Sequence, residues 1–243
     1  METLAILIPV KNNANIISRA LDSIVNQTAF INKKFKYQIF VVDNNSSDNL
    51  KEVVDNYENL TYLYCKTPGI VAALNTGIFQ IMNSPNIKYI ARIDSDDMWS
   101  NNKIELQFSY MLKNANIDIC GTAIRFIREN FFQDFYYPER HEQIIDYLKT
   151  GQNPIAHPSV IYKKDIFLKC GGYDDTYEHN EDFDLWIRAS KYFILHNIQE
   201  VLLHYNFERK SDAYHAKQDD NAKKLQIKNS IINNFANNFS IKN

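Results

Sequence analysis

The first hundred residues alternate between short apolar runs and amphipathic stretches, and that alternation restricts the fold more than any other feature of the chain. Leu4-Ala5-Ile6-Leu7-Ile8 reads as a buried strand, and Ile16, Ile17, Ala20, Leu21, Ile24 and Val25 follow at helical spacing. Tyr37 to Val42 is a second strand, and Asp43 to Asp48 a turn and helix cap. A short helix over Leu50 to Tyr57, a strand over Thr61 to Cys65, a helix over Val71 to Met82 and a strand over Lys88 to Ile93 complete the series. Strand–helix alternation implies a parallel sheet with right-handed crossovers. Ligands of such sheets bind outside the carboxyl ends of the strands. Pro9-Val10-Lys11, Asp43 and Asp94 to Asp97 all fall at those ends.

The second half is less regular. The spacing predicts helices over Lys103 to Lys113, His141 to Thr150 and Glu181 to Lys191, and a short helix ending at Gly171-Gly172. Strands are expected over Ile117 to Cys120, Ala123 to Arg128, Ser159 to Tyr162, Phe193 to Ile198 and Val201 to Tyr205. The aromatic run Phe131 to Tyr137 reads as a hairpin strand with one core face, or as a platform for stacking sugar rings. With no internal repeat or low-complexity linker, residues 1–205 form one domain, divided into halves 1–100 and 101–205. A tail over 206–243 carries Leu225, Ile232, Phe235 and Phe239 at helical spacing. It reads as a helix packed on the body or on a second copy, with a membrane-surface helix as the alternative.

A net charge of −2 gives no electrostatic footprint for nucleic acid. Cys65, Cys120 and Cys170 are widely spaced and odd in number, which argues against a disulfide framework and for a reducing compartment. No apolar stretch approaches the length of a membrane span, and Leu4 to Val10 is too short for a secretory signal. The expected location is cytoplasmic, the inner face of the membrane included.

Two acidic clusters carry the chemistry. Asp94, Asp96 and Asp97 stand together after the fourth strand, in Arg92-Ile93-Asp94-Ser95-Asp96-Asp97. Residues i and i+2 of an extended segment point the same way, so Asp94 and Asp96 repel unless a cation joins them. A hard divalent ion, Mg²⁺ or Mn²⁺, resolves the repulsion and normally brings a phosphate. A solvated acidic turn is the plainer reading. The second cluster, Glu181-Asp182, opens the helix carrying Leu185, Trp186 and Ala189. The helix dipole alone favours acids there; the functional alternative is a general base facing a cleft.

Taken in order, these motifs resemble the inverting family 2 glycosyltransferases. They are Ile8-Pro9-Val10-Lys11-Asn12, Val41 to Asp48, Gly69 with Asn75-Thr76-Gly77-Ile78, Arg92 to Asp97, His157-Pro158-Ser159, Gly171-Gly172-Tyr173 and Glu181 to Trp186. The likeness spans about residues 3–205 and is of the bacterial surface-glycan type. It implies a GT-A, Rossmann-like α/β fold: a mostly parallel central sheet flanked by helices, a smaller acceptor-side region and a helical tail. It further implies transfer of a sugar from a nucleoside diphosphate sugar, a UDP-sugar, to a glycan or lipid-linked hydroxyl, with Mn²⁺ or Mg²⁺ as cofactor. Pro9, Val10 and Asp43 would face the nucleobase. Asp94 and Asp96 would span ribose and metal, with Asp97 able to replace either. Arg92 would orient the acids or meet phosphate, and Asn75 would belong to the donor site. Asp182 matches the family base, with Glu181 beside it.

Two departures stand out. Asn44 and Asn45 replace an acid and a glycine common in the family, and Leu74 replaces a basic residue before Asn75, so that a donor–phosphate contact is either missing or supplied by Lys66 or Arg92. His157 reads as a packed histidine or a substrate contact, and His204 and His215 as outlying candidates for a third metal ligand. Two rival functions are a nucleotidyltransferase, which would need a glycine-rich basic loop where Pro9 to Asn13 stands, and a nucleotide-sugar-binding module without catalysis.

Overall fold

A computed structural model describes residues 2–128, 131–177 and 179–206. The tail expected beyond Asn206, His215 included, lies outside the described residues. The strands are β1 (Thr3–Val10), β2 (Lys36–Asp43), β3 (Leu60–Tyr64), β4 (Ile87–Arg92), β5 (Met98–Trp99), β6 (Ile119–Arg128), β7 (Phe131–Phe135), β8 (Ile161–Lys163) and β9 (Leu195–Asn206). The helices are α1 (Ile17–Val25), α2 (Thr28–Ile31), α3 (Leu50–Val54), α4 (Ile70–Met82), α5 (Ser109–Lys113), α6 (His141–Lys149), α7 (Asp165–Cys170) and α8 (Glu181–Ala189). One sheet runs in the order β3-β2-β1-β4-β8-β6-β9-β5, with β7 hairpinned off β6. The first four of these strands are mutually parallel, and β8 reverses direction beside β4. This is the α/β architecture expected, a central sheet flanked by helices.

β1 shows why the parallel half is so legible. Successive side chains of a strand point to opposite faces, and helices cover both faces of a parallel sheet. Leu4, Ile6 and Ile8 accordingly pack with Ile17, Leu21 and Ile24 of α1. Ala5 and Leu7 pack on the other side with Leu74, Ile78 and Ile81 of α4 and with Trp186. Gly77 lets α4 approach: a Cβ there would lie 2.2 Å from Leu7 Cδ1 and 3.0 Å from Val42 Cγ2. Both neighbours are fully buried and have nowhere to move. Gly77→Val is therefore expected to destabilise by roughly 1–3 kcal/mol through overpacking, measured by urea denaturation at an unchanged m-value.

Four expectations are corrected. The strands expected on either side of Gly121-Thr122 are the single strand β6, and those around 199–200 are the single strand β9. Gly121 is a point of close approach, where a Cβ would sit 2.2 Å from Asn197 Oδ1. The helix expected from Lys103 starts as a π-helical turn, Ile104–Phe108, before α5. There Gln27 Oε1 accepts the Ile104 N–H at 2.9 Å, and Gln27 Nε2 donates to the Ser23 and Ser100 carbonyls at 2.9 and 2.8 Å. This fully buried glutamine organises α2 and β5, neither of which apolar periodicity suggests. Finally, β7 pairs with β6 as a hairpin but has no core face, since Phe131, Phe132 and Phe135 are all exposed. Across the hairpin Phe126 meets Phe135 edge-on and Arg125 pairs with Asp134.

All three cysteines are free. Among the described residues no helix is long and apolar enough to cross a membrane.

Candidate active site

Parallel register brings the polar strand ends to one edge of the sheet. Val10 pairs with Asp43, and Leu7, three residues earlier in β1, pairs with Arg92. Beside the end of β4 lies a cavity of about 490 Å³. Its walls include Arg92 and Asp94, Asn153, His157 and Pro158, Glu181 and Asp182, and the aromatic side chains of Phe126, Tyr137 and Tyr205. Asp94 of the first acidic cluster and Glu181-Asp182 of the second, nearly ninety residues apart in the chain, thus face one space.

Arg92 organises the inner wall. It is 3% exposed and forks onto Asp94, with Nη1 to Oδ2 at 2.9 Å and Nη2 to Oδ1 at 2.6 Å. Burial works against its charge, but Asp94, Tyr173 and Glu181 outweigh that and hold it firmly protonated. Its Nε is buried with no hydrogen-bond partner among the described residues. His157 is packed as one of its two readings expected. It is buried, its Nε2 lies 2.9 Å from the Tyr173 hydroxyl, and its ring meets Trp186 edge-on. Burial and then Arg92 keep it neutral, far below the usual histidine range.

The first turn of α8 holds Glu181, Asp182 and Asp184. They divide in two directions. Asp184 pairs with Arg188 one turn on, while Glu181 and Asp182 line the cavity. Glu181 is 7% exposed, and its Oε2 has no partner among the described residues. Its carboxyl is pushed upward by burial first and by Asp182 second. Asp182 is also raised by burial, against the pull of Asn153, the Phe183 N–H and Arg92. Desolvation therefore outweighs the helix dipole at both positions.

The remaining candidate residues are not in the lining of this cavity. Pro9 and Val10 are buried at the end of β1. Asp43 closes its own turn, accepting the Ser46 N–H at 2.8 Å and the Tyr62 hydroxyl. Asn44 ties that turn to the approach of α4, accepting the Gly69 N–H at 2.9 Å and donating to the Thr67 carbonyl at 2.7 Å. Asn75 is committed to backbone, with Nδ2 to the Tyr173 carbonyl at 2.8 Å and Oδ1 from the Tyr173 N–H at 2.9 Å. It faces a separate cavity of about 580 Å³ near Gly69, Gly172 and Arg188. Asp96 is half-buried in the turn after Asp94. Asp97 is 1% exposed and accepts the Asn206 N–H at 2.9 Å, so it pins the end of β9. Burial, then Asp94 and Asp96, raise its carboxyl far above the usual range. His204 sits on β9 opposite Met98 and Arg125, away from the cavity lining. Lys66 is exposed.

The family model for glycosyl transferase family 2 matches residues 5–171. The chain belongs to glycosyl transferase family 2. Among its relatives in that family is the O-antigen biosynthesis glycosyltransferase WbnJ of Escherichia coli, 29% identical over 226 residues, covering 87% of this chain and 82% of that one. A second is the Escherichia coli UDP-Gal:alpha-D-GlcNAc-diphosphoundecaprenol beta-1,3-galactosyltransferase, 29% identical over 210 residues, covering 83% and 72%. In architecture the chain is similar to S. aureus TarS 1–349, solved in complex with UDP-GlcNAc. The TM-score is 0.69 at 17% identity, over 100% of this chain and 76% of that one.

For a member of family 2, this chain places several unselected residues close to the site. Asn153, Tyr137, Phe126 and Tyr205 line the cavity, but their sequence surroundings read as loop and strand. Lys103 is hidden more deeply. Fully buried, it donates from Nζ to the Ser159 carbonyl at 2.8 Å and to Gln107 Oε1, and lies 4.9 Å from the Trp99 ring centre. It thereby holds the turn His157–Ser159 that forms part of the cavity wall. Burial lowers its ammonium to about 7. Between that value and the ordinary lysine range, the unfolded chain keeps a proton that the folded chain has released. Stability therefore rises with pH across the window. Lys103→Met is expected to remove that rise, read as a flatter dependence of Tm on pH between 7 and 10.

Proposed function

We propose that the chain transfers a hexosyl group from a nucleoside diphosphate sugar, a UDP-sugar, to a hydroxyl of a glycan or lipid-linked acceptor during surface-polysaccharide synthesis, with inversion at the anomeric carbon. The observation that carries this reading is the single cavity faced by Arg92 and Asp94 on one wall and Glu181 and Asp182 on another. Support for the donor and acceptor classes comes from the E. coli galactosyltransferase, whose name states a UDP-galactose donor and a diphosphoundecaprenol-linked acceptor. TarS was solved with UDP-GlcNAc.

In this reading Asp182 Oδ2 takes the proton of the acceptor hydroxyl. The oxygen attacks the anomeric carbon from the face opposite the diphosphate. The new C–O bond forms as the bond to the diphosphate oxygen breaks, and the diphosphate leaves with that electron pair. Buried and charged, Arg92 steadies Asp94 and adds positive potential where negative charge develops. Glu181 keeps the cavity wall polar next to the base.

Among the described residues no group of three or more His, Cys, Asp or Glu side chains is gathered to hold a metal. Mg²⁺ commonly takes only one or two protein carboxylates together with substrate phosphates. Asp96 and Asp94 fit that pattern. Burial first, and then repulsion from Asp94 and Asp96, raises Asp97, and that second contribution marks the turn as a concentration of negative charge suited to a dication. When bound, the cation would supply Lewis-acid neutralisation of the leaving diphosphate. Asp97, committed to the Asn206 N–H, is assigned to structure.

Asp96→Ala tests the donor site. UDP binding by calorimetry with and without MnCl₂ is expected to lose its metal-dependent component in the variant, and equal affinity in all four titrations would remove the metal assignment. A screen of nucleotide sugars for release of free nucleoside diphosphate then separates a transferase from a binding module, which would show thermal stabilisation by ligand and no release.

A further inference from the structure

Asn153 occupies the cavity wall next to the acid pair. Its Nδ2 donates to Asp182 Oδ2 at 2.6 Å. The other carboxylate oxygen, Oδ1, accepts the N–H of Phe183 at 2.7 Å. An ionised carboxylate only accepts hydrogen bonds, so the nitrogen end of the Asn153 amide must face it. Two donors from different segments therefore hold both oxygens and fix the rotation of the carboxylate.

The segment carrying Asn153 is itself anchored from the sheet. Asn197 of β9 is fully buried. Its Nδ2 donates to the Pro154 carbonyl at 3.0 Å and to the Pro138 carbonyl at 2.7 Å, and its backbone N–H donates to the Glu139 carbonyl at 2.9 Å. Gly121 of β6 makes room for it, since a Cβ there would meet Asn197 Oδ1 at 2.2 Å and Ile155 Cγ2 at 2.7 Å. One line of fixed contacts runs from Gly121 through Asn197 and Pro154 to Asn153, ending on Asp182. A side chain held only to shape a loop would not need its donor aimed at the carboxylate.

We propose that Asn153 is the positioning residue of Asp182, presenting Oδ2 to the cavity, and that Asn197 is the anchor that keeps Asn153 in place. The inference rests on Asp182 being the base. Other titratable groups face the same space: His179 ahead of α8 and Glu181 within it, Arg92 and Asp94 at the end of β4, His157 from its turn, and Tyr137 and Tyr205. Of the influences on Asp182, burial is the largest and raises it, and the Asn153 hydrogen bond is the leading one that lowers it.

The test uses the full chain and compares wild type, Asn153→Ala, Asp182→Asn and the double variant. Tm is measured at pH 4.5 and 8, and manganese-dependent hydrolysis of UDP-galactose is followed over the same range. A hydrogen bond to a charged acceptor is about twice as strong as a neutral one. Asn153→Ala is therefore expected to lower Tm by a few degrees at pH 8, about half as much at pH 4.5, and hardly at all in the Asp182→Asn background. The acid limb of hydrolysis is expected to move to higher pH. Asn153→Asp guards against a misfolded alanine variant: two carboxyls can share a proton at pH 4.5 but repel at pH 8, so its Tm should fall steeply between them. A loss of Tm that is the same at both pH values and in both backgrounds, with the acid limb unmoved, overturns the proposal. Full turnover by Asp182→Asn instead overturns the base assignment, and the inference that rests on it, whatever the cycle shows about the contact.

Discussion

Asp182→Asn is expected to lower kcat by roughly 10²–10⁴-fold, the usual contribution of a positioned general base. Donor affinity should be unchanged within about twofold, because the substitution removes a proton acceptor and leaves the volume of the side chain intact. Asparagine can still accept the Phe183 N–H through its oxygen. It loses the ability to take the acceptor's proton and, with its nitrogen turned toward Asn153, the hydrogen bond that Asn153 Nδ2 donates. Glu181 is adjacent, but burial and Asp182 itself raise its carboxyl, and its Oε2 is enclosed. Removing the Asp182 charge relieves part of that rise, but burial, the larger cause, remains, so any residual activity through Glu181 should appear mainly at higher pH. Rate measurements from pH 6 to 9, with nucleotide binding measured in parallel, check both halves of the expectation. Wild-type turnover in the variant would return the α8 acids to the role of helix-dipole partners.

Arg92→Leu should produce the largest loss of stability among substitutions at the site, about 3 kcal/mol, because it leaves an acid without its buried counter-charge. The guanidinium holds both oxygens of Asp94 and lowers the proton affinity of Asp97, Glu181 and Asp182. Those three carboxyls are already raised by burial. Without Arg92 they rise further, so the folded chain holds protons that the unfolded chain has lost. Stability of the variant then falls as pH increases. The difference from wild type should accordingly be larger at pH 8 than at pH 5, as read from urea denaturation at the two values. A pH-independent deficit would mean that Arg92 matters through packing alone.

How much of this was readable from sequence divides along physical lines. The parallel half was legible because β1 and much of β2 and β4 are buried on both faces, so their apolar runs are continuous and their ends are marked by Pro9, Asp43 and Asp94. The acids of both clusters were visible as residue types in place. What escaped was polar chemistry inside the fold. Gln27, Lys103 and Asn197 are fully buried polar side chains whose partners are backbone groups from distant segments. Apolar periodicity registers such residues only as interruptions. Asn153 was missed for a related reason: a lone asparagine before a proline reads as a turn, and its partner Asp182 comes 29 residues later. The run Phe131 to Tyr137 misled in the opposite direction, since strand propensity says nothing about whether a core exists to receive the side chains. Asn75 was visible as a residue in its motif, but the partner of its amide, the Tyr173 backbone 98 residues on, could not be read from spacing.

The change of strand direction between β4 and β8 has an evolutionary consequence. Antiparallel pairing of Ala91 with Ile161 sets the turn that precedes β8 beside the residues that follow β4. Two loops with separate origins in the chain are thereby made neighbours by a backbone ladder, without help from the groups that project from them. The connection that leads into β8 can change around Asn153, Pro154 and Ile155 while the four parallel strands keep their register. On the function proposed here, a lineage built on this plan would vary its acceptor at that connection and inherit the parallel strands intact.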